Sequence, residues 1–163
     1  MIHNVDHSKN RTFDIGLKDI EMMINKARNF SNGKYRLCSH TATDEEVHEM
    51  FIVHPRNTYV RPHEHVNKTE SILIIKGELN FIEFNRNGDV KKNIKMSEIN
   101  SDEKFYHSSK AGLYHSLWFK SDWVVFLEIT KGPFIANETI YAPWSPAQAF
   151  TEQGLDFISS KLF

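Results

Sequence analysis

This 163-residue chain has one cysteine, Cys38, and so has no internal disulfide framework. That usage fits a reducing compartment, and Cys38 reads as a small buried hydrophobe rather than a nucleophile. There is no Lys/Arg block, and the formal net charge is −1. Nothing in that balance calls for nucleic acid or an anionic membrane surface. No apolar run approaches spanning length, and Met1–His7 lacks a charged-then-apolar leader pattern. The expectation is a soluble cytoplasmic protein without a membrane or nucleic-acid partner.

What is abundant is bulk. Apolar residues make up 40% of the chain and twelve residues are Phe, enough for one domain with a filled core. The expected organisation is a loose polar arm over 1–13, one domain over 14–150 and a tail over 151–163. Leu17, Ile20, Ile24 and Ala27 recur at spacings of three and four, which predicts an amphipathic helix over about 17–30. Asp14 or Gly16 is placed to cap it, and Asn32-Gly33 to end it.

Beyond the helix, strand-like runs alternate with turn signals: 48–54, 58–65, 71–76, 79–85, 90–95, 113–120 and 123–130. Asn87-Gly88-Asp89 marks a hairpin. Strands at this density without interleaved helices predict an all-β sandwich or barrel. A short closing helix is expected near 147–150 or 155–158.

The chemistry concentrates in Arg61-Pro62-His63-Glu64-His65-Val66-Asn67-Lys68-Thr69-Glu70, with Gly77 and His115 further on. Alternate residues of a strand share a face, so His63 and His65 point together, with Tyr59 and Arg61 on the same side. Glu70 has the wrong parity for an unbroken strand. A hairpin over Val66–Thr69 lets it open the next strand beside the histidines. Ile72, Ile74, Leu117 and Phe119 are then expected as apolar cavity walls. Three imidazoles and a carboxylate suit one divalent transition metal, whether Fe, Mn, Ni, Co or Zn. Arg61 and Tyr59 are candidate substrate contacts, Arg61 for a carboxylate or phosphate. His40 is a third such candidate. Glu128, a carboxylate in an apolar strand, is a candidate general base. His107 is a candidate rim residue, and Trp144, between two prolines, a plug on the barrel.

The stretch from Asn57 to Gly77 resembles the first cupin motif, G-x5-H-x-H-x3–4-E-x6-G, at His63, His65, Glu70 and Gly77, with Asn57 where the family has Gly. Lys110 to His115 resembles the second motif, with Gly112 and His115 present and the proline absent. More narrowly, 59–65, 127–134 and 142–146, with 36–40, resemble the WbuC-type cupins found with bacterial surface-polysaccharide genes. The resemblance implies a double-stranded β-helix or jelly-roll barrel, a metal held by His63, His65, Glu70 and His115, and a homodimer. It further implies a role on a carbohydrate or nucleotide-sugar intermediate in an O-antigen type pathway, by isomerase, epimerase or lyase chemistry. The alternatives are an O2-dependent Fe(II) oxidoreductase and a non-catalytic metal-dependent sugar-binding module.

Overall fold

A computed structural model describes residues 4–163. Two sheets face each other and enclose the core. The first contains β1 (Val5–His7), β2 (Tyr35–Cys38), β3 (Val47–Pro55), β5 (Glu70–Lys76), β8 (Tyr106–Ser109) and β10 (Trp123–Lys131), in the order β1-β2-β3-β10-β5-β8. The second contains β4 (His63–His65), β6 (Leu79–Phe84), β7 (Val90–Met96), β9 (Tyr114–Phe119) and β11 (Thr139–Tyr141), in the order β11-β4-β9-β6-β7. This is the barrel expected from the strand pattern, of the jelly-roll kind that the resemblance implies.

Side-chain alternation explains the layers. Met50 and Ile52 of β3, Ile72 and Ile74 of β5, and Phe126 of β10 point inward, to meet Phe81 of β6 and Leu117 and Phe119 of β9. The opposite parity of the first sheet, including Val53 and Val125, faces out and is covered by α1 (Leu17–Arg28) through Ile20, Met23, Ile24 and Ala27. Each large side chain so buried contributes about 1.5–3 kcal/mol. The Asp19 carboxylate accepts the Gly16 N–H at 2.8 Å and starts the helix. The helix ends at Arg28, with Asn29 as its C-cap, before the Asn32-Gly33 turn.

The outer face of the second sheet is covered by α2 (Thr151–Leu162). Ile158 of that helix packs with Tyr59, Ile82, Phe84 and Tyr114. The segment read as a tail is therefore a barrel-covering helix, longer than the closing turn expected. Trp144 packs on Phe84, Tyr114 and Phe157 and donates its indole N–H to Arg86 O at 3.0 Å, as a plug does.

The N-terminal arm is not wholly loose. Val5–His7 pairs in parallel with Arg36–Cys38. Residues 1–3 of the expected arm lie outside the described residues. Four short strands escaped the sequence pattern: β1, β2, β8 and β11, of three or four residues each. The expected strand over 58–65 is a strand only at His63–His65.

Candidate metal centre

β4 and β9 are antiparallel neighbours, and His63 stands directly opposite His115. His65 follows on the same face of β4. Glu70 then arrives from the other sheet, because 66–69 carries the chain across the barrel instead of closing a hairpin. Glu70 is the first residue of β5 and has the inward parity of Ile72 and Ile74. One ligand atom from each of His63, His65, Glu70 and His115 lies within 4.8 Å of all the others.

Each imidazole is steered through its far nitrogen. His63 Nδ1 donates to Arg61 O at 2.8 Å, and His115 Nδ1 donates to Leu113 O at 3.0 Å. His65 Nδ1 lies 3.3 Å from Thr139 Oγ1, which β11 brings directly opposite. This leaves Nε2 of each ring for the centre, the arrangement that fixes tautomer and orientation in metal sites. His65 Nε2 donates to Glu70 Oε2 at 2.9 Å, and His115 Nε2 stands 3.5 Å from Glu70 Oε1. Burial pushes Glu70 toward protonation, but the neighbouring His115 and His65 outweigh it and hold the carboxyl well below its usual range. Burial lowers His115, yet the Glu70 charge and hydrogen bond raise it overall. Burial pushes His63 down to about 3, with the like charge of His115 adding to it. The cluster is thus one carboxylate among three imidazoles in a largely buried pocket. That donor set fits a divalent transition ion, which would be held by these four side chains.

The centre opens on a cavity of about 240 Å³. Met50, Ile52, Leu117 and Phe126 form its apolar wall. Ile72, Ile74 and Phe119, expected to line it, lie in the core around it. Glu128 faces the cavity from β10, two residues before Thr130, which stands opposite Glu70. Burial first, and the Glu70 charge second, push the Glu128 carboxyl up to about 7.

Four other sequence candidates lie elsewhere. Arg61 does not line the cavity. Its guanidinium donates to Ser145 Oγ at 3.0 Å and Ala142 O at 3.3 Å and rests on the Tyr141 ring. Tyr59 is buried against the second sheet's outer cluster, and its hydroxyl donates to Pro146 O at 2.9 Å. Both precede β4, so the alternation that would have turned them inward is not yet established. His40 stacks on His48 outside the cavity, at 4.2 Å between ring centroids. His107 packs on Phe81 and is not at the rim.

The cavity also gathers residues that the sequence reading passed over: Arg36, His48, His54, Lys68 and Thr130. Lys68 is buried, and neither it nor the Arg36 side chain makes a hydrogen bond or close ion pair among the described residues. His48 Nε2, His54 Nδ1 and Thr130 Oγ1 are buried without hydrogen-bond partners among the described residues. Buried polar atoms are rarely left so, and several around one cavity mark a place for a polar ligand. Inward parity on β3 was the available signal for His48 and His54, which share it with Met50 and Ile52.

No curated protein matches the chain. Among solved structures it is similar to protein SO0799 from Shewanella oneidensis, at 10% identity over 87% of this chain and 92% of that one, with a TM-score of 0.58. KdgF from Halomonas sp. is similar at 10% identity over 67% and 86%, TM-score 0.51. A point variant of the Bacillus subtilis oxalate decarboxylase OxdC is similar at 16% identity, TM-score 0.51. That match covers 66% of this chain and 27% of the decarboxylase, so the chain spans about a quarter of that protein's length. These likenesses show the cupin fold. The family described as "Domain of unknown function (DUF6016)" matches residues 15–96, a segment holding His63, His65 and Glu70. With half of its length matched, the chain belongs to that family, on a cupin jelly-roll barrel with a His/Glu cluster suited to a divalent metal.

Proposed function

We propose that this chain is a metal-dependent enzyme acting on a small anionic, sugar-derived substrate, by isomerase, epimerase or lyase chemistry. One observation carries the reading. The four metal donors share a cavity with two cations, Lys68 and Arg36, that have no close ion-pair partner among the described residues. Lys68 is buried and has only the Phe134 ring, 5.3 Å from its Nζ, as a partner, and Arg36 is half-buried. A buried cation without a counter-charge is costly, and a carboxylate or phosphate entering the cavity lowers that cost.

Lys68 and Arg36 hold the substrate's anionic group. His54 and Thr130 orient its hydroxyls, and the wall of Met50, Ile52 and Phe126 excludes water. When bound, a divalent ion supplies Lewis-acid polarisation of a carbonyl or hydroxyl oxygen. Glu128 takes a proton from the substrate, or returns one, at its carboxylate. The segments 59–65, 127–134 and 142–146 support placing the chain beside the WbuC-type cupins, in a cytoplasmic step of surface-polysaccharide assembly. A homodimer is part of this reading, and light scattering tests it.

The direct test is ligand-induced thermal stabilisation of the metal-loaded protein with a panel of sugar acids, sugar phosphates and neutral sugars. Anionic members are expected to stabilise the protein, and Lys68→Met to remove the effect while metal content stays unchanged. Equal response to neutral sugars, or an unaltered response in Lys68→Met, overturns the anionic assignment. Turnover that survives complete metal removal overturns the metal-dependent one.

A further inference from the structure

The cluster of His7, Cys38 and His40 takes no part in the cavity chemistry. We propose that these three residues form a second metal site, for a thiophilic ion such as zinc(II), joining the N-terminal strand to the barrel. A nitrogen of each imidazole and Cys38 Sγ lie within 4.8 Å of one another. The placement follows from the strands. In the parallel pairing of β1 with β2, His7 stands beside Cys38. His40 is two residues further along and reaches the same place.

Cys38 and His40 are 1% and 5% exposed. His40 Nδ1 is buried without a hydrogen-bond partner among the described residues. A buried imidazole nitrogen with no partner beside a thiol is poorly explained as packing alone. One thiolate and two imidazoles form a softer set than the three histidines and glutamate of the cavity, so the two sites select different ions. On binding, the Cys38 S–H bond breaks, the sulfur lone pair forms the bond to the cation, and the proton leaves to solvent. His48 does not join this set. Its Nε2 faces Gly132, where an added Cβ would stand 2.7 Å from it. Its ring stacks on His40 and also borders the cavity, so the second site lies behind the cavity wall. An ion there fastens β1 further, beyond its three-residue ladder, the His7 Nδ1–H donated to His40 O at 3.2 Å and the contacts of Asp6 with Lys26 and Tyr35.

Cobalt(II) is the probe, because a thiolate ligand gives a near-ultraviolet charge-transfer band that imidazole and carboxylate ligands do not. Metal-free wild-type protein is expected to bind two equivalents and show the band. The double variant His63→Ala/His115→Ala is expected to lose the cavity equivalent and keep the band. Cys38→Ser is expected to lose the band and keep one equivalent, and His7→Ala to weaken the banded equivalent at least tenfold. Zinc(II) is expected to slow amide exchange in Val5–His7 by tenfold or more. Circular dichroism identifies any variant that fails to fold, and the wild-type comparison then decides. Absence of the band in folded wild type at stoichiometric cobalt, or unchanged affinity in folded His7→Ala, overturns the second site. Failure of the cavity site leaves the band in place, so the two proposals fail separately.

Discussion

At the scale of the residue, the centre depends on atoms that never touch a metal. Thr139 Oγ1, 3.3 Å from His65 Nδ1, fixes the ring from behind. Thr139→Val keeps shape and removes that contact. Losses of this kind typically cost about 10–100-fold in metal affinity, and about tenfold is expected here, read by competition with a chromophoric chelator. An unchanged affinity means that His65 is oriented by packing alone. His54 gives a second residue-scale prediction. It is half-buried, packed against Phe119 and Phe126 at the cavity wall, and burial holds its imidazole well below its usual 6.5. The folded state therefore refuses a proton that the unfolded chain accepts below pH 6.5. The stability this group contributes is present above that pH and is lost as pH falls. Between pH 8 and pH 5, metal-free wild type is expected to lose about 2 kcal/mol more than His54→Phe, at about 1.36 kcal/mol per pH unit below 6.5. Urea unfolding at both pH values measures it, and parallel losses refute the assignment. The sequence revealed His63, His65, Glu70 and His115 because their spacing is itself the signature of a metal cage. It misplaced Arg61 and Tyr59 because alternation is valid only inside a strand, and β4 begins at His63. It passed over Lys68 because a lysine in a polar turn looks solvated until the turn is seen to cross the barrel.

At the scale of the element, the legible pieces were those with enough repeats to establish a period. The twelve-residue α1 shows its stripe, and the nine-residue β3 and β10 show their runs. Three- and four-residue strands such as β1, β8 and β11 contain too few alternations to rise above irregular chain, and their pairing comes from neighbours already in place. α2 was obscured for another reason. Gly154, a poor helix former, sits in its first half and weakens the helical signal. The structure explains the glycine. A Cβ there would stand 2.3 Å from the Tyr59 ring, so the missing side chain is what lets α2 seat against the second sheet. Gly154→Ala gains helix propensity but forces the helix off Tyr59. Overpacking of this kind costs about 1–3 kcal/mol, and that destabilisation is expected by urea unfolding. A stabilised Gly154→Ala would mean that α2 is not docked as described. Metal content of the variant is expected to be unchanged, because α2 covers the barrel from outside.

At the scale of the whole molecule, the two sheets meet at the metal centre: His63, His65 and His115 come from one sheet and Glu70 from the other. An ion held by all four ties the sheets together, and it can do so only in the folded state, since the unfolded chain scatters the donors. Binding to the native state alone stabilises by about 2.7 kcal/mol at one hundred times the Kd. For a domain of this size that corresponds to roughly 5–10 °C in Tm. The effect is coupled to pH. Without the ion, Glu70 holds His115 above its usual pKa, so the His115 proton must leave before Nε2 can serve as a ligand. Metal affinity is therefore expected to weaken as pH falls and protons compete for the imidazoles. Scanning calorimetry of chelated and reloaded protein at pH 8 and pH 6 gives both readings, with the larger Tm gain expected at pH 8. A Tm unaffected by the ion at either pH would mean that the four donors do not bind together, and that the cluster is only a polar contact between the sheets.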